Sequence, residues 1–172
     1  MNSDNKPDII VANNGGSSVG VLLNAGSGTF NAQTVYSVNS SPVSVAVVDV
    51  NSDNKPDIIF ADQFSDNVCV LLNGGSGTFN AETTYSIGGD PTSVAVVDVN
   101  SDNKPDIVVA NADSNNVGVL LNTGNGTFIA QTTYLVDSHP YSVVVVDVNS
   151  DNKPDIVVAN QVSNTVSVLL HC

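Results

Sequence analysis

The chain of 172 residues sets 17 acidic side chains against four lysines and no arginine, a formal net charge of −13, with 41% hydrophobic residues. That apolar share is too high for a disordered acidic tail. No basic face for nucleic acid or an anionic membrane can be built from four lysines that each sit among acids, and no run of 18 apolar residues offers a membrane-inserted helix.

The N-terminus, MNSDNKPDII, lacks the basic-then-apolar pattern of a signal peptide. It opens inside a loop that later recurs whole, and the C-terminus, VSVLLHC, stops where earlier copies continue, so the chain reads as a piece of a longer repeat protein. The repeat itself is exact in spacing. Asp4, Asp53, Asp102 and Asp151 are 49 residues apart, as are Phe30, Phe79 and Phe128, and Tyr36, Tyr85 and Tyr134. A fixed period of this length is the mark of a repeat architecture.

Each period holds four strand-like runs. SVAVVDV, from Ser44 and again from Ser93, and SVVVVDV from Ser142 are too short and too rich in valine for helices. An Asp-rich loop follows, then DIIFA from Asp57 or DIVVA from Asp106 and Asp155. The third run is NVCVLLN from Asn67, NVGVLLN from Asn116 or TVSVLL from Thr165, and a more polar fourth surrounds Ala81–Ile87. Connections such as GGSGTF and GGDP are turn chemistry. Four antiparallel strands per period predict an all-β chain of β-propeller blades, with the most apolar strand toward the channel and the most polar at the rim. The expected division is one repeat domain over 1–172, with blade 1 over 1–40 lacking its inner strand, blade 2 over 41–89, blade 3 over 90–138, and blade 4 over 139–172 lacking its outer strand. That makes 14 strands, an open arc of about three and a half blades. Its bare edges are an expected route of self-association, and closure needs further parent sequence or a second chain.

Eleven of the 17 acids, and all four lysines, lie in four copies of the short loop. Side-chain oxygens stand at positions 1, 3, 5 and 9: Asp49, Asn51, Asp53 and Asp57; Asp98, Asn100, Asp102 and Asp106; Asp147, Asn149, Asp151 and Asp155. The carbonyls of Lys55, Lys104 and Lys153 at position 7 add a further donor to each. Calcium takes six to eight hard oxygen ligands, which this set suits better than it suits magnesium. The alternative is an Asp/Asn-rich turn without metal, in which three converging carboxylates would repel one another. The first copy, with Asn2, Asp4, Lys6 and Asp8, lacks its position-1 Asp and is expected to bind weakly or not at all. The loop is no EF-hand, because Phe60, Val109 or Val158 stands where a bidentate Glu belongs.

The loop, followed by DIVVAN and then VGVLLN-x-G-x-GTF, resembles the FG-GAP/VCBS repeats of integrin-α-like β-propellers over essentially the whole chain. Asn replaces the second Asp and the Gly of that family's DxDxDGxxD pattern. Asn73-Gly74-Gly75-Ser76-Gly77-Thr78-Phe79 stands nearest to its Phe-Gly signature. The resemblance implies a seven-bladed type of propeller with calcium on one face, usually extracellular and used for adhesion or recognition.

Catalysis has little to draw on. His139 and His171 do not recur, no nucleophile triad or zinc spacing is present, and the acids come as loops and not as opposed pairs. The expected function is therefore a calcium-binding scaffold for adhesion or protein interaction, not an enzyme. The alternative is a lectin-like propeller using Tyr36, Tyr85 and Tyr134 as stacking platforms, against their plainer reading as a cross-strand packing ladder. Calcium modules of extracellular affinity need external calcium, which places the parent protein outside the cell or on its surface. The sequons at Asn39 and Asn125 agree but are expected by chance in so Asn- and Ser-rich a chain. Cys69 shares a small-residue slot with Gly20, Gly118 and Ser167, so it reads as buried packing and not as redox chemistry.

Overall fold

Apolar alternation interrupted by Gly, Ser and Asn turns folds this chain into four successive antiparallel sheets. The computed structural model describes all residues except 3, 39, 76 and 172, so Asn39 of the first sequon and Cys172 lie outside the described residues. In the first sheet β1 (Ile9–Asn13) pairs with β2 (Ser18–Leu22), and a small hairpin of β3 (Asn24–Gly26) and β4 (Thr29–Phe30) leads to β5 (Thr34–Ser37), which pairs with β2. The second sheet holds β6 (Pro42–Val48), β7 (Asp57–Asp62) and β8 (Asn67–Leu71), then the hairpin β9 (Asn73–Gly75) and β10 (Thr78–Phe79), and ends at β11 (Thr83–Ser86). The third is β12 (Pro91–Val97), β13 (Asp106–Asn111), β14 (Asn116–Leu120) and β15 (Thr132–Leu135). The fourth is β16 (Pro140–Val146), β17 (Asp155–Asn160) and β18 (Thr165–Leu169).

Among the described residues the four sheets hold 14 strands, and the two hairpins add four more. Those hairpins form where the sequence pattern shows only turns. Gly75 and Gly77 take φ of +92° and +77°, a region that glycine enters without a Cβ clash, and the chain doubles back so that Asn73 faces Phe79. In the third sheet the same turn closes as a single bridge, Asn122 to Phe128.

β6, β12 and β16 run beside one another and mark the inner edge of the arc. These valine-rich strands are only half-buried; the second strands β7 and β13 are buried along their whole length. The reason is position: an inner strand turns one side to the channel, whereas a second strand has a blade on either face. The core accordingly lies between blades. Ile58, Phe60 and Leu71 pack toward the first sheet. Their neighbours in sequence, Ile59, Ala61 and Val70, pack toward the third with Ile107 and Val109. Val108, Val117 and Val119 meet Val143, Ile156 and Val158 of the fourth. A period of two thus serves two interfaces at once.

Candidate functional site

The three complete Asp-rich loops each join a first strand to a second, so they lie at the same end of their blades, and the first copy leads into β1. In loop 49–57 the side chains hold the backbone. Asp49 accepts N–H groups from Asn51 and Asp53 on Oδ1, both at 3.2 Å, and from Asn54 on Oδ2 at 2.7 Å. Asn51 Oδ1 accepts from Asp53 at 3.1 Å, and Asp53 Oδ1 accepts from Lys55 at 2.9 Å. Such Asx turns permit left-handed backbone, and Ser52 and Asn54 both sit at φ +62°. Asn thus fills the position that is Gly in the related pattern, since it tolerates this region better than most side chains. The loops at 98–106 and 147–155 repeat these bonds, from Asp98 and Asp147 through Asn100 and Asn149 to Asp102 and Asp151.

Position 9 behaves differently. Asp57 is fully buried at the start of β7, and each of its oxygens takes a backbone N–H: Val50 at 2.9 Å and Asn73 at 2.7 Å. It thereby ties the Asp loop to the exit of β8. Asp106 does the same with Val99 and Asn122, and Asp155 with Val148 and His171. In the first copy Asp8 holds Asn24 N–H and the Met1 ammonium, while Asp4 accepts from Asn2 and from Lys6 N–H.

Burial first, and then the carboxylates of Asp53 and Asp49, hold Asp57 above the ordinary carboxylate value; Asp106 is raised by burial and by Asp102 and Asp98. Asp53 goes the other way. Desolvation alone would raise it, but the Lys55 ammonium at 3.1 Å and the Lys55 N–H outweigh that and lower it. Lys104 lowers Asp102 against the same desolvation. At Asp147 four backbone N–H groups, from Asn152, Ser150, Asp151 and Asn149, overcome desolvation. The lysines have a packing role as well, because the stem of Lys55 crosses Gly75 and that of Lys104 crosses Gly124. Each complete loop keeps three carboxylates against one ammonium.

All donors here are hard oxygens, the chemistry calcium selects, and a carboxylate oxygen that accepts one N–H retains a second lone pair. The donor set therefore fits. The arrangement is looser than a cage: among the described residues no three acidic, histidine or cysteine side chains are grouped closely enough to hold a metal ion. Asp49, Asn51 and Asp53 share one loop, while Asp57 is set apart as a buried strut.

Some contributors have no local signal. Asn122 is buried, accepts Gly124 N–H on Oδ1, and donates from Nδ2 to Pro105 O and to Val50 O of the preceding blade. Asn73 makes the equivalent bonds to Gly75, Pro56 and Met1. The recurrence of Asn24, Asn73 and Asn122 every 49 residues was the available clue. The tyrosines are neither a cross-strand ladder nor open platforms in two of their three copies. Tyr36 meets Phe79 edge-on at 4.9 Å and Tyr85 meets Phe128 at 5.5 Å, each reaching into the next blade. Tyr36 also donates to Gly77 O, and Tyr85 Oη accepts Phe128 N–H. Tyr134 instead borders a cleft of about 390 Å³ with Val119, Leu121 and His171. The small-residue slot is explained too: a Cβ on Gly20 or Gly118 would strike the side chain of Gln33 or Gln131, and Glu82 lies against Cys69 in the same place.

A family model described as FG-GAP-like repeat matches residues 1–60, 49–109 and 98–158. No curated protein matches the chain. Among solved structures, an Agrocybe aegerita lectin studied for its recognition of non-reducing terminal N-acetylglucosamine is similar with a TM-score of 0.63 at 20% identity, over 91% of this chain and 44% of its own. BBS1N in complex with ARL6DN is similar with a TM-score of 0.64 at 12% identity, over 98% of this chain and 54% of its own. The chain spans about half the length of these two structures. At such identities the likeness is one of fold.

Proposed function

Because the chain belongs to the FG-GAP-like repeat family, we propose that this β-propeller scaffold binds calcium in its Asp loops and presents its blades to protein partners outside the cell. The observation that carries the reading is a threefold one. At the same end of three blades, the same four oxygen-bearing side chains fold into one turn with three carboxylates and a single lysine. Asp49, Asn51 and Asp53, with the Lys55 carbonyl, would hold the ion in the first complete loop, and Asp57 would fix the loop to the blade. Bound calcium supplies positive charge that offsets the mutual repulsion of the carboxylates. The loops at 98–106 and 147–155 would act alike, and the first copy, without an Asp at position 1, would bind least. The acids serve as hydrogen-bond acceptors and as oxygen ligands for a cation, so the reading is binding and not catalysis. Adhesion or recognition at the cell surface suits calcium sites of roughly 10⁻⁴–10⁻³ M affinity.

Thermal melts in calcium and then in chelator test it. Each loaded site adds about 2.7 kcal/mol at a free calcium concentration roughly 100-fold above its Kd. An unmoved midpoint would show that the loops are only turns.

A second reading is favoured by one observation. The ring of Tyr134 borders an open cleft between the third and fourth blades, where Tyr85 one repeat earlier is covered by Phe128. A stacked sugar fits such a ring, and a fold neighbour is a lectin. A glycan array on calcium-loaded protein decides: no bound glycan rejects the lectin reading and leaves the scaffold intact.

A further inference from the structure

The outermost strand of a blade keeps one edge unpaired, whatever stands before or behind the blade. In the third blade that strand is β15, the last in the order β12-β13-β14-β15. Val136 N–H donates to Asn115 O, which makes those two residues a hydrogen-bonded pair. By the two-residue alternation of an antiparallel ladder, Tyr134 then turns its N–H and C=O to β14, and those of Thr133 and Leu135 point away from it. Exposed edges are usually blunted by charged or polar side chains, and this one is not. Leu135 is 83% and Ile129 49% exposed. The first blade has Ser37 and Asn31 at these places, and the second has Ser86 and Asn80. Asn80 and Ser86 are exposed in a blade with a neighbour on either face, so the exposure belongs to the rim and not to the ends of the arc. A single exposed leucine would be ordinary. Here four positions change together, because Asp113 and Asp137 also replace Phe64 and Gly88 of the second blade.

We propose that the open edge of β15 is a docking strand for an extended, basic segment of a partner protein, which adds to the third blade as a further strand. The edge gives the scaffold reading, on which this rests, a surface and a class of partner. Backbone groups of Thr133 and Leu135 supply the ladder bonds, and the side chains of Ile129 and Leu135 supply apolar contact at its two ends, as in other sheets that take up peptides. These two residues are at most about 20 Å apart along the chain, so a peptide of about seven extended residues meets both. Charge sets the sign of the partner. Asp113, in the turn from β13 to β14, and Asp137, just beyond Leu135, are both exposed, and neither is in an ion pair among the described residues. All four lysines lie in the Asp loops at the other end of the blades, and there is no arginine. A second copy of this chain, with its net charge of −13, would bring like charges to the same edge. The occupant is therefore a different protein, with lysine or arginine beside its apolar residues.

A displayed library of random decapeptides tests this, selected on the calcium-loaded 172-residue chain, with fluorescence anisotropy of the enriched peptides. Two variants are compared with wild type. Ile129→Asn with Leu135→Ser gives the third blade the rim residues of the second, and Thr133→Pro removes one outward N–H without removing a ladder bond. Circular dichroism shows that each folds. The expected peptides alternate apolar residues with others and carry lysine or arginine. Both variants bind them at least roughly tenfold more weakly, and added salt weakens them further. Peptides that bind the variants as tightly as wild type overturn the inference and leave the scaffold reading standing. Enrichment of no peptide, or of acidic peptides alone, also overturns it, while the melts in calcium and chelator decide the calcium scaffold separately. A wild-type dimer in sedimentation velocity that Leu135→Ser abolishes overturns it too, because the occupant would then be a second copy.

Discussion

Position 9 of the Asp loop and positions 1 to 5 carry the same residue types, yet the molecule treats them as different materials. Asp57 is buried, is raised in pKa, and spends both oxygens on the backbone of two separate segments. Asp49, half-buried, and Asp53, exposed, hold only their own turn, and Asp53 has the Lys55 ammonium beside it. A motif read as four equivalent ligands therefore divides into a strut and a set of exchangeable donors. The strut positions the donors, and loss of either should leave a different signature.

The largest expected effect comes from removing the strut. Asp57→Ala leaves two buried N–H groups without acceptors and should cost about 3–5 kcal/mol, measured by denaturant melts and equally large in calcium and in chelator. Asn122→Ala, which cuts the tie to Pro105 and Val50, should cost about 2 kcal/mol, again regardless of calcium. Asp53→Asn separates the two roles. In chelator its midpoint should match wild type, since the group is exposed, while the calcium-dependent rise of that one loop disappears. If Asp53→Asn destabilises the chelated protein as much as Asp57→Ala does, the division is wrong.

Acidity gives the smallest and most discriminating effect. Asp57 and Asp106 have folded values above the unfolded 3.8, so the native chain holds protons that the unfolded chain has released. Their contribution is full below that value and fades as pH rises through the folded values. Asp53, Asp102 and Asp147 are lowered, and their contribution is present above 3.8 and lost as pH falls through their folded values. In chelator, stability should therefore decline slightly between about pH 4 and neutrality and fall again in stronger acid. Asp57→Asn should flatten the upper limb, because the group that titrates there is gone.

The blades were legible in the sequence because a 49-residue period and a two-residue apolar alternation are local signals, repeated until chance is excluded. The loop was legible in composition but not in its division of labour. What distinguishes Asp57 from Asp53 is a bond to Asn73, sixteen residues on. The inter-blade partners were less legible still. Tyr85 finds Phe128 across 43 residues and Asn122 finds Val50 across 72, distances at which only the curvature of the arc decides who meets whom. The turn glycines were read as connections, and their left-handed backbone made small hairpins of two of them.

The ties between loops run in series. Asp57 holds Val50 N–H, Val50 O takes Asn122, and Asn122 N–H returns to Asp106, which holds Val99. At the next station the Asn is replaced by His171, whose Nδ1 is buried without a hydrogen-bond partner. Pulled from its ends, such a molecule should not yield all at once. It should give way first beside His171 and then one repeat at a time, each step paying out 49 residues of slack, about 160 Å of extended chain.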